Sequence, residues 1–388
     1  MKLKSKDWIK RKFKVTFHDK HFHWPGTSDY QVKRLNLRSM YVESGPVSYL
    51  REAMALKTFK EAGVPCADWF YVRLYVNGRF YGLYLITEDL DRRWLARRGF
   101  SNATLLIKTN HWKYANLRAP DPRLDCPQTA PDQDYRGKGH GKARDCPMVY
   151  DIVNPQLQNS WDRLYDNVLN NFSTSLQQVV DRVSWAGPND SFVQGFWDLR
   201  VNVGEVINEM AVQTLIFNVD RCAKNHYIFR TPDARWGLIP YDVEDAFATD
   251  FRSNHLPRSC AAQGWACRDA GCLLSCGEYN SISLCDRTHP QDAIERSTYN
   301  HLVDGILYNP PLRARYLARL RQLTDLYSNS GWLEREIRNI AAYIAQDATA
   351  DMLLWKISGT FEGNVAALIS QVQTRRGQLY DQLKAASG

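Results

Sequence analysis

The beginning of the chain alternates between short β-type patterns and one helical pattern. Apolar and polar side chains alternate over residues 12–17, as in a strand with one buried face, and residues 32–37 give a second short strand. Apolar residues then recur at helical spacing over 48–62. Gly63 and Pro65 end this pattern, because glycine favours the turn after a helix and proline cannot continue one.

A β-hairpin is predicted after this helix. Two runs rich in β-branched and aromatic residues, 69–76 and 80–86, are separated by Asn77-Gly78. Asn-Gly is the preferred pair in a two-residue hairpin turn, because both residues accept positive φ angles. The first 88 residues therefore have the predicted order β-β-α-β-β.

The rest of the chain is mainly helical in pattern. The predicted elements are a short helix that begins near Asp91, helices over 159–182 and 203–217, strands over 226–230 and 235–241, and three helices within 292–385. A β-rich segment followed by a helical one predicts an α+β fold.

Two stretches interrupt the helical pattern, and we interpret both as insertions. Residues 116–147 are rich in proline, glycine and charge and poor in apolar side chains, and residues 254–287 contain five of the nine cysteines. The predicted division is a small β-rich unit over 1–88 and a larger, mainly helical unit over 89–388 that contains both insertions.

The composition is that of a globular protein, with 44% hydrophobic and 24% charged residues. Since the sequence has no run of roughly 18 apolar residues, we expect no transmembrane segment, and the N-terminus shows no apolar signal-peptide core. The net charge is +8, with basic clusters over 2–14 and 136–144. We interpret these clusters as solvated surface, with attraction of acidic substrates, phosphates or membranes as the alternative. We expect no nucleic-acid partner.

The cysteines favour an oxidising compartment. Between Cys260 and Cys285 the successive spacings are 6, 4, 3 and 8 intervening residues, whereas zinc modules usually contain Cys-x2-Cys pairs. Dense cysteines without such pairs indicate disulfides, so we expect at least one in this segment. Cys126 and Cys146 flank a polar loop and could form another.

Candidate catalytic residues lie around the second predicted hairpin. Asp220 and Asn225 follow an amphipathic helix, and the hairpin after them ends at Asp242 and Glu244. Protein kinases present an Asp, an Asn five residues later, and then a hairpin that leads to a metal-binding Asp. A carboxylate orients a hydroxyl nucleophile and accepts its proton, and a divalent ion on a triphosphate needs oxygen ligands. Taken alone, Asp220 is equally typical of a turn that ends a helix.

Further short segments carry a resemblance to one known family. They are 33–37, 50–53, 63–65, 75–78, 81–84, 88–91, 218–220, 225–227 and 239–244. In kind and order they resemble the spore coat protein H (CotH) family of atypical secreted protein kinases, from about residue 10 to the C-terminal helices. The resemblance implies a bilobal kinase-like fold, with a β-rich N-lobe and a mainly helical C-lobe. It also implies ATP with Mg²⁺ or Mn²⁺, and phosphorylation of secreted or surface-exposed proteins.

The resemblance also implies roles for the residues around the second hairpin. Asp220 matches the catalytic aspartate. Asn225 and Asp242 match the ligands of the metal and its nucleotide, and Glu244 stands where the family often has a second metal-binding aspartate.

Three further site residues follow from the resemblance. Glu88 falls at the link between the lobes, a position expected to bind the nucleotide. Lys33 is the candidate for the lysine that binds the ATP phosphates, with Glu52 on the following helix as its partner. Arg34 is the alternative to Lys33, because a shift of one residue along a strand reverses which side chain faces the cleft.

The sequence departs from the kinase pattern at three points. No glycine-rich nucleotide loop is visible before the first strand, so the loop either lies upstream of Met1 or is absent. Ala248 replaces a glycine that closes many kinase metal motifs, and Cys222 lies inside the catalytic loop. Three functions are therefore compared: an ATP-dependent protein kinase of the secretory pathway, a non-catalytic surface binding protein or adhesin on the same fold, and an enzyme that transfers nucleotide. The retained Asp220, Asn225 and Asp242 favour the kinase.

Overall fold

The computed structural model describes residues 9–18, 21–109, 117, 150–153, 168–218, 225–248 and 300–387. The strands are β1 Phe13–Thr16, β2 Phe22–His23, β3 Gln31–Val32, β4 Arg34–Arg38, β5 Trp69–Val76, β6 Arg79–Glu88, β7 Leu105–Thr109, β8 Tyr150–Ile152, β9 His226–Arg230 and β10 Trp236–Pro240. The helices are α1 Arg51–Glu61, α2 Arg92–Arg97, α3 Asn170–Ala186, α4 Ser191–Arg200, α5 Val203–Leu215, α6 His301–Tyr308, α7 Pro310–Leu323, α8 Trp332–Trp355 and α9 Phe361–Ser387. This mixture of helix and sheet confirms the α+β class, while the two-lobe arrangement and its boundary at residue 88 stay predictions.

The first sheet is antiparallel and has the strand order β1–β4–β6–β5. Asn77 and Gly78 join β5 to β6 with φ angles of 51° and 76°. Positive φ at both central residues is the requirement of a type I′ turn, whose twist matches that of the flanking strands. The predicted hairpin is therefore confirmed.

The two faces of this sheet differ in polarity. On the outer face, under the β2–β3 hairpin, lies an apolar cluster of Trp24, Val32, Leu35, Leu37, Tyr84 and Ile86. Since successive side chains of a strand point to opposite faces, the residues between these apolar ones point inward. The inner face carries Arg34, Asn36 and Arg38 from β4, and Lys14 of β1 lies opposite Asn36.

The helix α1 covers the inner face and ends where the sequence predicts. Eight of its eleven residues are buried. After the helix, the Val64 amide donates to the Phe59 carbonyl at 2.9 Å, and the Gly63 amide donates to the Lys60 carbonyl at 3.1 Å. These two bonds form a Schellman motif, which requires a left-handed residue just past the helix. Gly63 meets this requirement with a φ of 78°.

The second sheet has the order β10–β9–β7–β8 with antiparallel pairs. Its strands β9 and β10 confirm the predicted second hairpin. The helix α5 packs against β10 and α7, and it ends at Leu215, two residues before the predicted end. No helix in the described part of the chain is both long and apolar enough to span a membrane.

The described C-terminal residues, 300–387, contain more helices than predicted. Four α-helices and a π-helical segment, Thr324–Asn329, replace the three that were expected. Asn309 accounts for the first division, since it ends α6 and its side chain accepts a hydrogen bond from the Leu312 amide at the start of α7. Gly331, with a φ of 70°, separates the π-helical segment from α8.

Cys66 is the one cysteine within the described ranges, and it is a buried free thiol. Burial raises the pKa of this thiol to about 12. The predicted disulfides, Cys222 and the insertion 254–287 lie outside the described residues, as does nearly all of the insertion 116–147.

A buried ion pair joins the N-terminal segment to α8. Lys10 Nζ lies 2.8 Å from Asp351 Oδ2 and donates to the carbonyls of Ser39 and Leu83, at 2.7 Å each. Asp351 also accepts hydrogen bonds from the Tyr49 hydroxyl at 2.8 Å and the Leu83 amide at 2.7 Å. Both charges are fully buried. A buried charge is tolerated when it is paired and hydrogen-bonded, as these two are.

Gly82 allows α8 to approach the sheet at this ion pair. Its φ is +153°, which side-chain-bearing residues rarely adopt. A Cβ at this position would overlap the Asp351 carboxylate and lie 2.9 Å from Lys10 Cε. The glycine in Tyr81-Gly-Leu-Tyr84 is therefore required by packing.

We predict that Gly82→Ala lowers the free energy of unfolding by about 2–6 kcal/mol, because backbone strain and overpacking each cost about 1–3 kcal/mol. Gly78→Ala is the matched control, since Gly78 also has a positive φ but has open space at its Cβ position. Its expected cost is about 1–2 kcal/mol, from the left-handed backbone alone. Urea unfolding of the three proteins measures both losses, and equal losses would contradict the packing argument.

The Lys10–Asp351 pair also predicts a pH dependence of stability. Burial lowers the pKa of Lys10 to about 8 from 10.5, although the charge and hydrogen bond of Asp351 raise it in part. Between these two values the unfolded chain binds more protons than the folded chain, so stability from this site increases with pH.

We therefore predict that the free energy of unfolding of the wild type, minus that of Lys10→Met, rises from about pH 8 to about pH 10.5. Subtracting the variant removes the contributions of other groups, such as the tyrosines, that titrate in the same range. Urea unfolding at several pH values measures the difference. A flat or falling difference is the result that this account does not allow.

Candidate functional site

The β9–β10 hairpin brings Asn225 and Asp242 to one end of the second sheet. His226 pairs with Pro240 at the end of the ladder, and the Tyr241 amide donates to the Asn225 carbonyl at 2.9 Å. Asp242 follows directly. Asn225 and Asp242 both have left-handed backbones, with φ angles of 66° and 54°. Left-handed non-glycine residues are uncommon, although asparagine and aspartate accept these angles more readily than other residues, and they are enriched at functional sites.

Arg38 connects this end of the hairpin to the first sheet and to α1. Its Nε donates to Glu52 Oε2 at 2.9 Å, and its Nη2 donates to Asp242 Oδ1. The same Nη2 lies 3.6 Å from Glu244 Oε2. Burial by itself would lower the pKa of Arg38, but the carboxylates of Glu52, Asp242 and Glu244 raise it well above its ordinary value. Arg38 is therefore a permanent cation among three carboxylates.

The turn after Asp242 is held against the start of α1. The Ser44 hydroxyl donates to the buried Asp245 carboxylate, and Arg51 Nη1 donates to the Phe247 carbonyl. The Phe247 amide in turn donates to the Ile216 carbonyl at the end of α5, at 2.6 Å. The acidic turn, residues 242–245, is thus fixed from both sides.

Three more cations of the first sheet pair with carboxylates near this turn. Lys12 Nζ donates to Glu244 Oε2. Lys14 and Arg34 each lie 3.0 Å from a carboxylate oxygen of Asp89, which follows β6. Together with Arg38 they form a basic row, defined as Lys12, Lys14, Arg34 and Arg38, along the inner face of β1 and β4.

The predicted pairing of Lys33 with Glu52 is wrong. Glu52 pairs with Arg38, and Lys33 is exposed. The cause is the alternation along β4. Lys33 lies two residues before Leu35, so both belong to the apolar outer face of the sheet. Arg38 lies an odd number of residues from Leu35 and therefore belongs to the inner face.

Glu88 lies buried at the end of β6, where several donors bind its carboxylate. It accepts hydrogen bonds from the Asp68 amide and from Arg97 Nη2, at 2.6 Å each, and Arg98 Nη2 lies 3.9 Å away. Burial raises the pKa of Glu88, while the Asp68 amide and Arg97 oppose that shift. These contacts hold the carboxylate inside the protein. A role of Glu88 in nucleotide binding stays a prediction.

The catalytic candidate Asp220 lies outside the described residues, but both ends of its loop are described. At the start, Asn218 is buried and its Nδ2 donates to Gln213 Oε1 at 3.0 Å. At the end, Asn225 is buried beside Tyr241. The two described residues that flank positions 219–224 are therefore both held by hydrogen bonds, and Asn225 lies next to the residue before Asp242.

Comparison with known proteins follows from this geometry. A family model described as CotH kinase protein matches residues 4–379, which is nearly the whole chain. The chain belongs to the CotH kinase protein family. Membership of this family indicates a kinase-like function, and it implies ATP, a divalent metal and a protein substrate in general terms. The search of the curated proteins gives no match.

The donor atoms at the acidic turn fit a divalent ion. Asn225 offers an amide oxygen, and Asp242 and Glu244 offer carboxylates, which are the hard oxygen ligands that Mg²⁺ and Mn²⁺ prefer. Within the described residues, no group of three or more His, Cys, Asp or Glu side chains has the geometry of a metal site. Since cations of the basic row now balance both carboxylates, an ion that binds here exchanges with Arg38 and Lys12.

We predict that Arg38→Met lowers the free energy of unfolding by about 3–5 kcal/mol, because it leaves Glu52 buried without its cation. The double variant Arg38→Met/Glu52→Met should lose less than the single variant, since no unpaired charge remains at that position.

Arg34→Met is the matched control for this prediction. Arg34 lies on the same face of the same strand and pairs with Asp89, but it is 46% exposed. Its expected cost is at most about 1 kcal/mol, as for surface ion pairs. Chemical denaturation gives all values, and similar losses for Arg38→Met and Arg34→Met would show that Arg38 is not a buried link.

Proposed function

We propose that this member of the CotH family is an ATP-dependent protein kinase that phosphorylates hydroxyl side chains of secreted or surface-exposed proteins. The observation that carries the proposal is the double contact of Arg38, with Glu52 on α1 and with Asp242 after the hairpin. Protein kinases need a basic residue of the small sheet bound to a helix glutamate, and a metal-binding aspartate after a hairpin. The contacts of Arg38 with Glu52 and Asp242 support the same two roles here, with arginine in place of the kinase lysine.

The proposed roles follow from the chemistry of each group. Asp220 orients the substrate hydroxyl and accepts its proton, while the hydroxyl oxygen bonds to the γ-phosphorus and ADP leaves. Asn225, Asp242 and Glu244 hold Mg²⁺ or Mn²⁺, which supplies positive charge to the phosphate oxygens. Arg38 takes the position that sequence analysis gave to Lys33, with Glu52 fixing its orientation.

The proposal includes the two-lobe arrangement. The N-lobe is residues 1–88 and the C-lobe is residues 89–388, with the nucleotide between the inner face of the first sheet and the acidic turn. Glu88 lies at the crossover between these parts. Two observations support this division: β6 ends at Glu88, and the basic row faces Asp242 and Glu244.

The substrate is proposed to be a secreted or surface protein. The support for it is the nine cysteines, of which five fall in one short segment, together with family membership. An oxidising compartment suits this cysteine content, because disulfides persist there.

A non-catalytic surface binding protein on the same fold is the second candidate. The specific observation in its favour is that no glycine-rich loop lies between Met1 and the first strand. This candidate predicts no phosphoryl transfer by the wild type on any acceptor with either metal.

We predict that Asp220→Asn and Asp242→Asn have different effects. Asp220→Asn removes the acceptor of the proton, so phosphoryl transfer should fall by about 10² or more while metal-dependent ATP binding changes little. Asp242→Asn removes a charged metal ligand, so metal-dependent ATP binding itself should weaken strongly. Asparagine is chosen at 242 because it tolerates the left-handed backbone.

Calorimetric ATP binding with Mg²⁺ or Mn²⁺, beside transfer of labelled γ-phosphate to the protein or a generic acceptor, measures both effects. Asp233→Asn is the matched control, because Asp233 is an exposed aspartate at the opposite end of the same hairpin. It should retain both binding and transfer. Unchanged transfer by Asp220→Asn would remove Asp220 from the mechanism, and wild-type protein without transfer would favour the binding protein.

A further inference from the structure

The basic row is a consequence of strand register. Lys14 lies opposite Asn36, and Thr16 lies opposite Arg34, so alternate residues of β1 and β4 share the inner face. Lys12 directly precedes β1 and lies two residues before Lys14, so it belongs to the same face. The row therefore runs along the edge of the sheet toward the acidic turn, where Lys12 and Arg38 meet Glu244 and Asp242.

Within the described residues, the basic charges of this region are balanced by carboxylates. The cations are Lys12, Lys14, Arg34 and Arg38, and the carboxylates they contact are Glu52, Asp89, Asp242 and Glu244. A divalent ion on Asp242 and Glu244 would upset this balance, because it satisfies two carboxylates that now hold two members of the row. The cations then need an anion, and a triphosphate bound to the same ion is one.

The beginning of the row is held rigidly. Lys10, two residues before Lys12, is fully buried and paired with Asp351. The Arg11 carbonyl accepts a hydrogen bond from the Tyr84 hydroxyl at 2.7 Å. Side chains on a backbone fixed in this way lose little freedom when they bind a ligand, which favours binding.

We propose that Lys12 and Lys14 bind the ATP phosphates. The inference rests on the proposed function, which supplies the nucleotide. When a divalent ion binds Asp242 and Glu244, Lys12 exchanges Glu244 for phosphate oxygens, and Lys14 exchanges Asp89. Arg38 stays with Glu52 and turns its second nitrogen from Asp242 to the phosphates.

The test compares a ligand with phosphates and one without. Equilibrium binding of Mg²⁺·ATP and of adenosine is measured for the wild type, Lys12→Met, Lys14→Met and the double variant. Affinity for Mg²⁺·ATP should fall about tenfold for each lysine, and about a hundredfold for the pair, because each lysine forms a charge-assisted hydrogen bond. Affinity for adenosine should stay within about twofold, since no phosphate contact is lost.

Two further variants separate phosphate binding from folding. Lys60→Met is the matched control, because Lys60 is a half-exposed lysine in the last turn of α1 that pairs with the carboxylate of Asp68. Its affinity for Mg²⁺·ATP should equal that of the wild type. Lys12→Arg/Lys14→Arg keeps both charges and should retain most of the affinity. If the double methionine variant unfolds, the single variant Lys14→Met decides, because Lys14 is 50% exposed and contributes little to stability.

The possible results distinguish this inference from the proposed function. If the wild type binds Mg²⁺·ATP and Asp242→Asn does not, but the lysine variants bind like the wild type, the lysine assignment is overturned and the kinase proposal survives. An equal loss of ATP and adenosine affinity also overturns the assignment, because it indicates a disturbed fold. A wild type that binds ATP no better than adenosine, with either metal, overturns both.

Discussion

The guanidinium of Arg38 is the point at which the first sheet, α1 and the acidic turn depend on one another. A buried ion without its partner costs several kcal/mol, so this cation is stable only when its carboxylates are in place. The sheet supplies Arg38, α1 supplies Glu52, and the end of the second hairpin supplies Asp242. Arg38 and Glu52 are both buried, so each depends on the other for a satisfied charge, and Asp242 adds a contact from the hairpin. The candidate site therefore forms together with the tertiary structure and not after it.

Asp351 has a comparable part beside the first sheet, where its partner Lys10 also donates to the Ser39 carbonyl next to Arg38. It binds the N-terminal segment through Lys10 and β6 through the Leu83 amide, from a position on α8. The segment that carries Lys12 is thus fixed by the C-terminal helices. Two buried ion pairs, Lys10–Asp351 and Arg38–Glu52, therefore position the residues that face the acidic turn.

Local rules explain what the sequence could predict. The prediction of the hairpin at Asn77-Gly78 depends on the residues of a single four-residue turn. The prediction of the catalytic candidates depends on their order within a motif of a few dozen residues. The cation that meets Asp242 depends instead on a contact across 204 positions, which no local pattern encodes. Alternation along β4 was the available signal, because it assigns Arg38 and Lys33 to opposite faces of the sheet. It identifies the inward face but not which residue on that face reaches the carboxylates.

The left-handed backbones at Asn225 and Asp242 restrict which residues can occupy these two positions during evolution. Glycine, asparagine and aspartate are the residues that accept such angles readily, so the hairpin itself restricts what can replace either residue. A descendant with glycine at both positions would keep the same hairpin and lose the oxygen ligands. Replacement of these residues by glycine, which the backbone favours most, would therefore remove the proposed ligands, and it would also take one carboxylate from Arg38.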